Sequence, residues 1–276
     1  MKSVKWKINA DINNQEYIGN GLLAEELSKK GYDAIIKEYV YIYPDKVKNI
    51  FELILGSIDF AGTGIDLGSG VGCISATIAE DDKVEKIYSI EIVENVVNLC
   101  QPVVINKILG DKRNKVISIV GDFDNIELPN NSVDFSVSWF SMHHSNNLEV
   151  TLKECLRVLK PNGRLVIVDR AHNNSTKDSE LQRMMNIVYS SDFMSKNYRP
   201  EGSILTRKDN GEHEYRFYEW EDFFKKSGFQ IISSIIIKTD TLENHNLKND
   251  NKIKEIFVPF KIGGFGDRAV GYILKK

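Results

Sequence analysis

The sequence predicts a doubly wound α/β fold, a mostly parallel sheet covered by helices on both faces. Three observations carry this. Short apolar runs alternate with segments of helical spacing from about residue 63 to 169. A glycine-rich turn, GIDLGSGVGC over 64–73, follows the first run directly. No repeat or low-complexity linker interrupts the chain.

Taken in order, 15–30 (QEYIGNGLLAEELSKK) and 45–57 (DKVKNIFELILGS) place apolar residues at helical spacing, and Pro44-Asp45 suits a helix start. Between them Tyr39, Tyr41 and Tyr43 alternate, which predicts an extended face that packs or covers a ligand. Strands are expected at 63–67, 84–90, 116–120, 133–138 and 164–169, with helices at 71–80, 94–108 and 148–159. Strand, helix, strand at this spacing means parallel pairing through crossovers.

The alternation breaks after Asp169. Residues 170–216 are polar and irregular around one helical candidate, 178–195. A segment of that length is expected to cover a substrate. A helix at 219–228 and strands at 229–237 and 269–275 close the chain. The expected division is one domain, 1–276: an N-terminal helical cover (1–44), a cofactor-binding core (45–169), a covering insertion (170–216), and a C-terminal helix with a strand pair (217–276).

The totals exclude several function classes. With 36 basic and 39 acidic side chains the formal charge is −3, so no field for nucleic acid exists. Cys73, Cys100 and Cys155 form no CxxC pair, which suits reduced thiols. No run reaches the length of a membrane span, and MKSVKWKINADINN lacks a signal-peptide core. These readings predict a cytoplasmic protein without a nucleic-acid or membrane partner, and leave its oligomeric state open.

The glycine turn is the first candidate for chemistry. A dinucleotide loop, GxGxxG counted from Gly68, would place its third glycine where Cys73 stands, and no lysine follows Gly72 as a phosphate-binding Walker loop requires. Glu91 ends the second strand, where an acid can accept both ribose hydroxyls. At the end of the third strand, Asp122 can accept from an adenine amino group while Phe123 packs on the ring. Three strand ends thus describe a nucleoside site with no phosphate handle.

DLGSGVG, IEIVE, VGDF, VDFSVSWFSMHH and LKPNGRLVIVD, in this order and spacing, resemble the class I S-adenosylmethionine-dependent methyltransferases that act on small molecules. The likeness is strong over about 45–169 and looser in the C-terminal strand pair. It implies a Rossmann-like, seven-stranded, mostly parallel sheet whose last strand inserts antiparallel beside the fifth. It implies S-adenosyl-L-methionine as cofactor, with Asp66, Gly68, Ser69 and Gly70 facing the methionine part. Glu91, with Ile92 beside it, would hold the ribose. Asp122 and Phe123 would flank the adenine, and the backbone near Ser138 would receive the methionine amino group. Asp134 is usually structural in this family.

His143 lies where the family often keeps a histidine near the transferred methyl, so it is the candidate general base for a hydroxyl acceptor. The alternative is that the pair His143-His144 only shapes the loop. Asp169 could hold a substrate hydroxyl and Arg170 a substrate anion, or the two could form a strand cap. In GEHEYRFYEW, His213, Glu214 and Arg216 could line a substrate pocket or be a solvated approach to a helix. A metal site from Asp169, His172, His213 and Glu214 has no spacing that fixes a geometry, and none is expected. The expected reaction is methyl transfer to a small-molecule acceptor, a hydroxyl of a sugar or other polar metabolite. A nitrogen or carbon acceptor, or cofactor binding without turnover, remains open. A nicotinamide oxidoreductase of the same fold is disfavoured by Cys73.

Overall fold

Apolar residues at alternate positions give the central strands two buried faces, and those faces organise the molecule. The computed structural model describes residues 3–10, 15–40, 42–56, 59–240, 247–249, 253–262 and 268–276. In chain order these form β1 (Val4–Lys5), α1 (Gln15–Lys30), α2 (Tyr32–Tyr39), α3 (Pro44–Leu55), β2 (Gly62–Leu67), α4 (Cys73–Ala79) and β3 (Val84–Glu91). A π-helical turn, Val96–Cys100, runs into α5 (Gln101–Leu109), followed by β4 (Val116–Val120) and β5 (Val133–Trp139). Then come a short 3₁₀ turn (Met142–His144), α6 (Leu148–Val158) and β6 (Leu159–Arg170). Two short helices, α7 (Asp178–Met185) and α8 (Ser191–Lys196), precede α9 (Phe217–Lys226), β7 (Gln230–Lys238), β8 (Lys254–Phe257) and β9 (Ala269–Lys275).

The sheet order is β1-β4-β3-β2-β5-β6-β9-β7-β8. The seven expected strands are its centre, and β9 enters antiparallel between β6 and β7. The count differs from seven because β1 pairs parallel with β4 at one edge and β8 parallel with β7 at the other. Strands this short leave no period to read.

Leu165 and Ile167 of β6 face one core, with α6 and α9; Val166 and Val168 face the other, with α1 to α5. The chain steps outward from β2 to β4, then returns to β5 on the other side of β2. That reversal opens a crevice at the carboxyl ends of the strands, where doubly wound sheets place their ligands.

Several expectations need correction. The helix expected over 178–195 is two helices, separated after Met185 by an extended stretch in which Val188 bridges Thr206. Tyr39 is not on an extended face; it ends α2 and its hydroxyl donates to the Asn20 carbonyl at 3.0 Å. Tyr43 is exposed ahead of α3, and Tyr41 lies outside the described residues. The three cysteines are buried and free. No helix among the described residues is long and apolar enough to cross a membrane.

Candidate active site

The loops after β2, β3, β4, β5 and β6 converge on one cavity of about 730 Å³, roofed by α1, α2 and the segment 170–216. That volume lies within the range of about 300–1,000 Å³ typical of small-molecule sites.

The glycine loop is held from both sides. Ser69 N–H donates to the Ile90 carbonyl at 2.7 Å, and Gln101 Nε2 donates to the Gly70 carbonyl at 2.9 Å. Gly68, Gly70 and Gly72 all have positive φ, at 67°, 50° and 76°. They serve different ends. A Cβ on Gly68 would stand 2.5 Å from Ser141 Cβ, so that glycine permits close packing of two loops. A Cβ on Gly70 would meet nothing within 4 Å, because it would project into open space at the cavity wall.

Glu91 closes this loop onto β3. Its Oε2 accepts from Gly70 N–H at 3.1 Å and its Oε1 from Val93 N–H at 2.9 Å. Burial raises its pKa against those bonds. Asp122 accepts from Asp124 N–H at 2.9 Å and Ala10 N–H at 3.2 Å, and lines the cavity beside Phe123. Ile92 and Ser69 also line it.

One expected contact is placed differently. Asp66 is fully buried and does not reach the cavity wall; Ser75 Oγ donates to its Oδ2 at 2.6 Å, and burial lifts its pKa to about 7. The Ser138 side chain is buried against Ser141 Oγ at 2.7 Å, and the cavity wall begins one residue later, at Trp139. The expectation at Ser138 concerns the backbone, which its side-chain direction leaves unaffected; for Asp66 the side chain faces Ser75 of α4, which a strand-end position in sequence does not reveal.

After β5 the chain turns sharply. Phe140 adopts φ 48°, rare for a non-glycine residue, and presents Ser141 and the 3₁₀ turn carrying His143 and His144. His143 Nδ1 lies 2.6 Å from Asp169 Oδ1, and its backbone N–H donates to Asp169 Oδ2 at 3.3 Å. Both side chains are buried, but His143 also borders the cavity, with Nε2 3.8 Å from Glu212 Oε2. Burial, then the Arg170 guanidinium and His144, hold the His143 imidazole well below its ordinary pKa. Burial lifts Asp169 to about 7, with Arg170 opposing it. The imidazole is therefore neutral; with Asp169 ionised, as the Arg170 backbone N–H donating to its Oδ1 at 2.8 Å favours, Nδ1–H donates to Asp169 and Nε2 keeps its lone pair.

Arg170 lines the cavity, but its charge is already matched. It is ion-paired with Glu212 and lies 3.6 Å from Glu214. Arg207 pairs with the same two carboxylates, and His172 Nε2 meets Glu214 Oε2 at 2.5 Å. Burial alone would raise Glu212, yet the Arg170 guanidinium paired with it outweighs burial and brings the pKa to about 2.

The cluster expected at His213, Glu214 and Arg216 does not line the cavity. His213 Nδ1 donates to the His143 carbonyl at 2.9 Å, Glu214 is buried in its ion pairs, and Arg216 holds Asp178 and Glu219. The residues of that stretch at the wall are Gly211 and Glu212, which sequence reasoning passed over. Asp169, His172, His213 and Glu214 form no single centre. His143, His144 and Glu212 bring nitrogen and oxygen atoms within 4.8 Å of one another, but Arg170 already occupies the Glu212 carboxylate. Asp134 holds Lys160 and the Thr63 N–H.

The roof contributes Glu16 from α1 and Arg199 after α8. Arg199 donates to the Glu16 carbonyl at 3.1 Å and to Asn210 Oδ1 at 3.2 Å, tying the segment 170–216 to α1. Neither residue carries a motif; both reach the site only through packing of distant segments.

Comparison with known proteins agrees with this architecture. Residues 65–167 match the family model described as a methyltransferase domain. An uncharacterised protein of Methanocaldococcus jannaschii, MJ1252, is 25% identical over 258 residues, covering 90% of each chain. A Thermotoga maritima S-adenosylmethionine-dependent methyltransferase superposes with TM-score 0.53 at 16% identity, over 94% of this chain and 99% of that one. The [4+2]-cyclase SpnF superposes with TM-score 0.52 at 17% identity; 70% of this chain is covered, and it spans only 59% of that chain. The superpositions establish the fold, which SpnF shows can host other chemistry. The domain match over 65–167, on this fold, supports a class I S-adenosylmethionine-dependent methyltransferase with S-adenosylmethionine as its cofactor.

Proposed function

We propose that the chain methylates a hydroxyl of a small polar molecule, a sugar or other polar metabolite, with His143 taking the hydroxyl proton. The 2.6 Å contact between His143 Nδ1 and Asp169 Oδ1 carries this reading. With Asp169 ionised, this contact favours the tautomer that leaves Nε2 as a proton acceptor at the cavity.

The cavity suits the cofactor. Open space at the Gly70 Cβ position admits a chain against the backbone. We assign the methionine part to the loop Gly68-Ser69-Gly70 and to the backbone after Ser138, with Asp66 supporting the loop from behind. Glu91 takes the ribose hydroxyls with the lone pairs that its two backbone bonds leave over, and Ile92 borders it. Asp122 and Phe123 take the adenine. When bound, the cofactor supplies a methyl group on a positively charged sulfur and departs as the neutral thioether.

His143 Nε2 accepts the hydroxyl proton while the oxygen–methyl bond forms and the sulfur–methyl bond breaks. Asp169 stabilises the imidazolium that results, and the burial of both side chains keeps water from competing. In-line geometry supplies most of the acceleration, and the roof of α1 and 170–216 holds the acceptor in line.

A screen for S-adenosylhomocysteine release against sugars, nucleotide-sugars, phenols, acids and amines, with the product's methyl position read by NMR, tests the reading. Turnover of hydroxyl acceptors to O-methyl products is expected. Turnover confined to acids or amines, or no release with any acceptor, would contradict it.

A further inference from the structure

At the acceptor wall, among the described residues, the Glu16 carboxylate has no cationic side chain in direct contact. Its side chain is 14% exposed and borders the cavity. Among the described residues no lysine or arginine pairs with its carboxylate; the ionisable group within 4 Å is His144, whose Nδ1 stands 3.9 Å from Oε1. That nitrogen is itself buried without a hydrogen bond of ordinary geometry, the Gly211 backbone lying near it.

The neighbouring cations do not fill the gap. Arg170 and Arg207 are matched by Glu212 and Glu214. Arg199 donates to neutral oxygens of Glu16, Asn197, Asn20 and Asn210. A buried carboxylate without a partner is costly, and a ligand that brings a cation to it removes that cost.

We propose that the acceptor is an amino alcohol whose ammonium sits on the Glu16 carboxylate beside His144 while its hydroxyl faces His143 Nε2. The inference rests on the hydroxyl-methylation reading and gives it a substrate class. The His143 and His144 rings lie 4.3 Å apart and His144 Nδ1 stands 3.9 Å from Glu16 Oε1, so the carboxylate and the proposed base border the same part of the cavity. The ammonium donates to Glu16 through charge-assisted bonds and shares the field of Glu212, whose charge reaches Glu16. Burial, then Glu212, raise the Glu16 pKa to about 8, with the Arg199 charge opposing them without contact to the carboxylate.

Paired acceptors that differ in one amino group test this on the whole chain: glucosamine against glucose, serinol against glycerol, and 2-amino-1-phenylethanol against 1-phenyl-1,2-ethanediol. For at least one pair the amino member should show about tenfold or higher kcat/KM, the size of one charge-assisted hydrogen bond. Glu16→Gln should erase that margin through KM, with S-adenosylhomocysteine affinity by calorimetry within about twofold of wild type. The proposal is overturned if no amino member turns over, if neutral members match or exceed them, or if Glu16→Gln weakens S-adenosylhomocysteine instead, since Glu16 would then serve the cofactor's own ammonium. The methyl position separates the two readings. O-methylation of neutral members alone leaves His143 as base and removes the ammonium seat. N-methyl products with a Glu16-dependent KM keep the seat and remove the hydroxyl reading.

Discussion

The carboxylate of Asp169, at the end of β6, meets the imidazole of His143, after β5, by two contacts, one to Nδ1 at 2.6 Å and one to the backbone N–H at 3.3 Å. The second fixes the loop and the first, with Asp169 ionised, favours the tautomer. His143→Ala should therefore depress turnover by roughly two to four orders of magnitude. Asp169→Asn should do comparable damage, because an amide can donate to Nδ1 and turn the wrong nitrogen toward the acceptor. S-adenosylhomocysteine affinity, read by calorimetry, should barely change in either. His144→Ala is the control for loop structure; if it costs turnover equally, proton transfer at His143 is not what the pair does.

The pH profile of that reaction follows from the same surroundings. Burial, Arg170 and His144 lower the His143 pKa, while Glu212 and Glu214 oppose them. The active form is the neutral imidazole. The rate with a neutral acceptor should rise with pH through a group below the ordinary histidine value of about 6.5, with a further rise near 7 as Asp169 ionises. A wild-type kcat profile without the lower inflection would argue against His143 as the group.

At the glycine loop, neighbouring positions should respond differently. Gly70→Val should abolish cofactor binding with the fold retained, since its side chain would enter the cavity and the cost is confined to a backbone at φ 50°. Gly68→Ala should instead lower the melting temperature, because its methyl would meet Ser141 Cβ at 2.5 Å. Circular dichroism melts beside calorimetry separate the two outcomes. Normal binding by Gly70→Val would make the loop a turn and nothing more.

Glu16 should cost stability. Its folded-state pKa of about 8 exceeds the ordinary carboxyl value of 4.5, so the folded chain holds the proton more tightly than the unfolded chain. Stability from this group is fully present below about pH 4.5 and is lost as pH rises to about 8. Glu16→Gln removes that loss, and its stability advantage over wild type should grow across the same window to on the order of 2–4 kcal/mol. Urea titrations at several pH values measure it; a constant difference would show that Glu16 is solvated or paired.

The sequence made the centre of the fold legible because its signals are local. Val–Ile-rich strands, the glycine loop and the acids Glu91 and Asp122 each sit within a few residues of the turn that places them. What remained hidden depends on distant packing. Glu16 and Arg199 meet across the roof, and no periodicity links α1 to the chain after α8. Alternation suggested His213, Glu214 and Arg216 as one face, but that stretch is irregular, with one bridge from Arg216 to His172, and it turns Glu212 to the cavity instead. Asp66 shows the same limit at the scale of one side chain: a strand-end acid can face Ser75 as readily as a ligand.

Calorimetry of S-adenosylhomocysteine binding to wild type and Glu91→Ala tests the assignment of the cavity most directly. Glu91 Oε1 and Oε2 are held by Val93 and Gly70, so the carboxylate is oriented before any ligand arrives. One site per chain is expected, with NAD binding far more weakly. Loss of charge-assisted bonds worth about 1.5–3 kcal/mol each should weaken the variant at least tenfold. An unchanged dissociation constant in Glu91→Ala, or tight NAD binding without an S-adenosylhomocysteine signal, would contradict the account.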